Sequence, residues 1–183
     1  MSHLRIYSEQ DATQIHFASA EFAEIERELE SIGVGFERWP LRQSVEPGAP
    51  PETVLAAFQP EIERLKREEG YVCADVVSLN PDHPDRAMLR QKFLNEHTHG
   101  EDEVRFFVAG SGLFTLHVAD RVYEMRCEAA DLIRVPAGTK HWFDMGEKPY
   151  FVALRLFNNP AGWVANFTGD PIAQRFPRYE PSA

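Results

Sequence analysis

Glu96-His97-Thr98-His99-Gly100-Glu101-Asp102-Glu103-Val104-Arg105 is the stretch that decides the fold. On extended backbone, side chains two residues apart point to the same side, so His97 and His99 present both imidazoles to one space. The short loop from Gly100 to Asp102 returns the chain and lets Glu103 meet them. A third imidazole follows in Pro136-Ala137-Gly138-Thr139-Lys140-His141, where the Pro-x-Gly turn aims the next strand back toward the same interior. Imidazoles and a carboxylate form a nitrogen and oxygen donor set preferred by Fe(II), Ni(II), Mn(II) or Zn(II). Four protein donors leave two positions of an octahedron open, which is what a bidentate substrate needs. A structural zinc site would be closed and usually rich in thiolate, and neither Cys73 nor Cys127 lies near these motifs. An HxH pair alone arises by chance, and a lone histidine on a strand is more often core or surface than ligand. His3, His16, His83 and His117 are read in that plain way.

Outward from this stretch, short strands separated by turns are expected from about residue 93. They are Glu103 to Val108, Leu113 to Val118, Val122 to Cys127, Leu132 to Val135 and Phe151 to Phe157. Gly110-Ser111-Gly112, Ala119-Asp120-Arg121 and Pro136-Ala137-Gly138 supply the breaks. Many short strands at near-regular spacing indicate a β-sandwich or barrel. The first half reads differently. Leu4 to Tyr7 alternates as a short strand, and Phe22, Ile25, Leu29 and Ile32 form a helical stripe that Gly33 stops. Val34 to Trp39 is a second strand ended by Pro40. Val54, Phe58, Ile62 and Leu65 make another helical stripe up to Gly70, which Pro60 is expected to kink or split. Tyr71 to Leu79 reads as a buried strand, and Asp85 to Gln91 as a short helix.

The 183 residues suffice for one domain with a substantial core. Acidic residues outnumber basic ones 29 to 19, a net charge of −10, which argues against nucleic acid or an anionic membrane as partner. No basic segment leads into an apolar one at the start, and no apolar run has membrane-spanning length, so neither a signal peptide nor a membrane helix is expected. The two cysteines lack a metal-type spacing and suit a reducing cytoplasm. Asn166-Phe167-Thr168 matches a glycosylation acceptor that a cytosolic protein would not use.

His97-x-His99-x3-Glu103-x6-Gly110 and Pro136-x-Gly138-x2-His141 resemble the two motifs of the cupin superfamily. More closely, FLNEHTHGEDEVRFFVAGSGLF, DLIRVPAGTKHWFDMG and RLFNNPAGWVANFTGD are similar to the acireductone dioxygenase family of methionine salvage. Gln91 and Ala130 stand where glycines open the generic motifs, and Met145 replaces the usual late asparagine; none of these touches the ligands. The resemblance implies a mainly β fold, a cupin double-stranded β-barrel or jelly roll with the N-terminal helices packed outside. It implies one cupin domain over residues 1–183: an elaboration over 1–92, the metal-binding barrel over 93–160 and an extension over 161–183. It further implies one Fe(II) or Ni(II) per chain, held by His97, His99, Glu103 and His141, and a monomer acting on a small-molecule acireductone and O2. In this family iron directs cleavage to the 2-keto-4-methylthio acid and formate, and nickel to 3-methylthiopropionate, formate and carbon monoxide. The alternatives are another cupin metalloenzyme, such as a different dioxygenase or a sugar-phosphate isomerase, or a non-catalytic module that uses metal to hold a ligand.

Strand parity assigns the remaining candidates. Arg105 lies two past Glu103 on the same inward face, as a charge partner for the ionised substrate or for a protein carboxylate. Arg155, in a strand apolar on both faces, must find either substrate or an internal carboxylate. Glu96 and Asp102 flank the ligands as acceptors for histidine N–H groups, as a path for metal entry, or as loop carboxylates; Glu101 is read as the last. Phe143 shares parity with His141 and lines the pocket, whereas Trp142 faces away to packing. Phe107 and Trp163 either complete an apolar wall for the methylthio tail or belong to the core.

Overall fold

The computed structural model describes residues 1–159 and 164–180. Its elements in chain order are β1 (His3–Ser8), β2 (Asp11–Ser19), α1 (Phe22–Glu30), β3 (Gly35–Arg38), α2 (Pro51–Ala57), α3 (Gln59–Glu69), β4 (Cys73–Leu79) and α4 (Arg86–Leu94). There follow β5 (His97–Thr98), β6 (Glu103–Val118), β7 (Arg121–Glu128), β8 (Asp131–Val135), β9 (Lys140–Asp144), β10 (Phe151–Phe157), β11 (Asn166–Phe167) and a 3-10 turn at Pro171–Gln174. No helix among the described residues is long and apolar enough to cross a membrane.

All strand pairs are antiparallel. One sheet runs β2-β1-β7-β6-β9-β5-β11 and the other β4-β10-β6-β8-β3, so β6 belongs to both. Its first half pairs with β10 and β8, its second with β7 and β9. The two strands expected here, Glu103 to Val108 and Leu113 to Val118, are therefore one bent strand. Gly110 makes the bend: its φ is +65°, and a Cβ there would sit 1.8 Å from the Tyr150 carbonyl oxygen. The result is a jelly roll joined through a shared strand, not a barrel closed by pairing all the way round.

Alternation along the strands sorts three layers of apolar packing. Phe107, Phe114, Phe143, Phe151 and Ala153 face inward between the sheets, and Ile25 and Leu29 of α1 join this core. Val104, Phe106, Leu132, Val152, Leu154 and Leu156 face outward against Val54, Phe58, Ile62 and Leu65, so α2 and α3 cover that sheet from outside as expected. The expected split falls at Phe58, which ends α2 and precedes Pro60 at the start of α3. Trp142 packs outward with Tyr7, Val122, Ile172 and Phe176, under the C-terminal turn.

Candidate metal centre

Three elements of the inner face carry the converging groups. His97 of β5 stands opposite His141 of β9, His141 lies opposite Leu116 of β6, and Glu103 opens β6. His99 follows in the loop after β5. One ring nitrogen from each of His97, His99 and His141 lies within 4.8 Å of the others. Glu103 Oε2 is 3.1 Å from His99 Nε2 and 3.7 Å from His141 Nε2. All four side chains are buried, and the structure brings together the whole set expected from the sequence.

Each ring is aimed by its other nitrogen. His97 Nδ1 meets the Asn95 carbonyl at 2.7 Å, His99 Nδ1 the Val164 carbonyl at 3.0 Å, and His141 Nδ1 the Thr139 carbonyl at 2.8 Å. A carbonyl only accepts, so each Nδ1 carries the proton and each Nε2 keeps a lone pair for the shared space. Glu103 Oε2 and His141 Nε2 are fully buried with no hydrogen-bond partner among the described residues. Orphaned buried acceptors are costly and rare, and two that face one another repel unless a cation lies between them. Donors at right angles around one ion, each about 2.1 Å away, stand about 3 Å apart, which the 3.1 Å spacing of His99 and Glu103 fits. The donor set thus suits a divalent transition metal.

The electrostatics suit it as well. Burial pushes the Glu103 carboxyl up, but the Arg105 guanidinium, with Arg155 behind it, more than offsets this and holds it well below the usual carboxylate range. Burial pushes His141 down to about 3 and lowers His97 too, against the pull of Glu103. The shifts of Glu103, His97 and His141 all favour the forms that bind metal, an ionised carboxylate and imidazoles without an added proton.

The remaining candidates divide. Arg105 Nη2 donates to Glu103 Oε1 at 2.9 Å, and its guanidinium lies 4.6 Å over the Phe143 ring, so its partner within the protein is the carboxylate of the centre itself. Arg155 donates to both oxygens of Asp75 on β4, with Nε to Oδ1 at 2.8 Å, and also lines the cavity. Glu96 and Asp102 do not accept from the ligand rings, whose acceptors are backbone carbonyls. Glu96 is buried against His117 and Thr168, and Asp102 accepts from the Ala137 amide, holding the turn before His141. Glu101 accepts from Asn159. Phe107 and Phe143 are fully buried in the inner core, their rings 6.1 Å apart, with Phe143 reaching the site through Arg105. Trp163 lies outside the described residues.

A cavity of about 550 Å³ opens onto His97, His99, Arg105 and Arg155. Its outer wall includes Leu89, Lys92 and Phe93 of α4, and Pro50, Pro51 and Val77, none of which the sequence reading had singled out. The spacing of Leu89, Lys92 and Phe93 by three and four was the available signal, since it puts them on one helical face. A larger hollow of about 820 Å³ beyond α4, lined by Arg90 and Lys148, contains none of the convergent groups.

A jelly roll whose inner face gathers an HxH pair, a carboxylate and a distant histidine defines a cupin metal-binding protein. The family model described as the ARD/ARD′ family matches residues 3–165. An acireductone dioxygenase of Pseudomonas aeruginosa (strain UCBPP-PA14) is 59% identical over 180 residues, 98% of this chain and 99% of that protein. One from Xanthomonas campestris pv. campestris (strain B100) is 57% identical over 181 residues, 99% and 96% of the two chains. The solved structure of acireductone dioxygenase from Bacillus anthracis, with a cadmium ion in its active centre, superposes with a TM-score of 0.78 at 29% identity, covering 91% of this chain and 98% of that one. The chain belongs to the acireductone dioxygenase family and is a metal-dependent dioxygenase, an oxidoreductase.

Proposed function

We propose that His97, His99, Glu103 and His141 hold one Fe(II) or Ni(II), and that the chain cleaves 1,2-dihydroxy-3-keto-5-methylthiopentene with O2. The orphaned pair Glu103 Oε2 and His141 Nε2 carries this reading, because a cation is the partner that satisfies both. With iron the products are 2-keto-4-methylthiobutyrate and formate; with nickel they are 3-methylthiopropionate, formate and carbon monoxide. When bound, the metal supplies the redox and Lewis-acid chemistry that joins substrate to dioxygen. The chain supplies the rest. Arg105 and Arg155 set positive charge along the cavity wall and favour the ionised enediol. Pro51, Val77, Leu89 and Phe93 offer apolar surface to the methylthio tail. The unpaired cysteines Cys73 and Cys127 suit a reducing cytoplasm, and we take the enzyme to work there as a monomer.

The test is oxygen uptake by iron-loaded protein given synthetic acireductone, with formate and keto acid measured as products. Metal uptake without oxygen consumption would leave a binding module. Turnover of a sugar phosphate instead would make it a different cupin enzyme.

A further inference from the structure

Beside the centre lies a chain of buried polar contacts that no ligand role explains. Glu96 is fully buried, yet it is a carboxylate, and burying a charge is tolerable only when its oxygens are satisfied. Oε2 meets His117 Nδ1 at 2.6 Å, and the other ring nitrogen of His117 meets Glu9 Oε2 at 2.9 Å. Oε1 accepts from the Thr168 hydroxyl at 2.7 Å, while the Glu96 carbonyl accepts from the Thr168 amide at 3.1 Å.

Thr168 ends a strap that crosses the metal centre. Asn166 and Phe167 pair with Thr98 and His97, the Phe167 ring lies 5.8 Å from the His97 ring, and the Val164 carbonyl holds His99 Nδ1. Lifting the strap would strip Glu96 Oε1 of its donor and free the His99 ring together. The two costs fall in one motion, so closure of the strap and the aim of His99 are coupled.

We propose that Thr168, anchored on Glu96, which His117 holds in turn, is a positioning residue that fastens residues 164–168 over the centre and thereby sets how slowly bound metal escapes. This rests on the metal site proposed above. Thr168 itself sits at the surface, so its hydroxyl can be removed without opening the apolar core, at the cost of leaving Glu96 Oε1 without its donor.

The experiment loads the full chain with Co(II) and follows its visible absorption after excess EDTA. Removing a group that orients a ligand typically weakens metal binding tenfold or more. Thr168→Val should release cobalt about tenfold faster than wild type and, metal-free, melt somewhat lower because Glu96 loses a donor, with Thr168→Ser restoring both; Ile25→Val, in the core away from the strap, serves as a control of lowered stability. Equal release by Thr168→Val and wild type overturns the proposal, as does a Thr168→Ser variant that releases as fast as Thr168→Val. Cobalt release that is equally fast in Ile25→Val at a similar loss of melting temperature makes the effect one of general stability and overturns it too. Wild type that takes up no cobalt sinks the metal site itself, a failure separate from these.

Discussion

Arg105 and Glu103 divide one carboxylate between two tasks: Oε1 accepts from the guanidinium at 2.9 Å, and Oε2 is left facing His99 and His141. The arginine therefore touches the carboxylate of the proposed metal centre and also lines the cavity. Arg105→Ala should weaken metal binding by roughly tenfold or more, by returning the Glu103 carboxyl toward its unpaired pKa, and should lower turnover beyond that loss. Arg105→Lys should recover part of the metal affinity but not the forked contact. Chelator competition measures the first effect, and the ultraviolet band of the substrate dianion under anaerobic mixing measures the second. Normal metal affinity in Arg105→Ala would confine the residue to the substrate.

Alanine at His97, His99, Glu103 or His141 should each cut metal content sharply, and turnover with it. Elemental analysis of purified variants decides this. Two variants with full occupancy and full activity would dissolve the site.

Metal exchange gives a third expectation. Apoprotein reconstituted with Fe(II) and with Ni(II) should be active in both forms, and only the nickel form should release carbon monoxide. Identical products would mean that metal identity does not direct the cleavage in this chain.

Acid should destabilise the metal-free protein through His141. Unfolded, this group takes up a proton below its ordinary value of 6.5, whereas folded it stays neutral down to about 3. Between those values acidification favours the unfolded chain, by up to about 1.4 kcal/mol per pH unit from this one group. In urea titrations at pH 7 and pH 5, wild type should lose more stability than His141→Gln; an equal loss would show that His141 is not held neutral by the fold.

Two backbone positions should respond in opposite directions. Gly110→Ala drives a Cβ into the Tyr150 carbonyl and should cost about 3 kcal/mol or more. Ala130 keeps the left-handed backbone, φ +84°, at a place where the cupin motif has glycine. Its strain of about 1–2 kcal/mol exceeds the entropy glycine forfeits, about 0.5–1 kcal/mol. Ala130→Gly should therefore raise stability by roughly 0.5 kcal/mol, readable in denaturant midpoints.

The convergence of His97, His99, Glu103 and His141 was legible because residue type and strand parity both pointed one way, and the four needed only a β-rich frame to meet. The carbonyls of Asn95, Thr139 and Val164 that aim the rings were invisible, since backbone groups leave no mark on residue identity. β2 was missed because, as an edge strand with both faces largely exposed, Asp11–Ser19 shows no clean apolar alternation. The continuity of β6 was hidden by Gly110 and Gly112, which read as a turn but serve a bend. Arg155, for which its apolar surroundings required either substrate or an internal carboxylate, meets Asp75, a partner that only folding could name.

β5 contributes just two residues, and its tie to β9 is the one pair His97 and His141. A metal joining these residues would act on the polymer as a removable cross-link, closing the intervening chain into a loop and trimming the freedom of the unfolded state. Loss of the ion would then leave this margin of the sheet tied to β9 by that single pair. Occupancy would be written in the protein's resistance to proteolysis as much as in its chemistry.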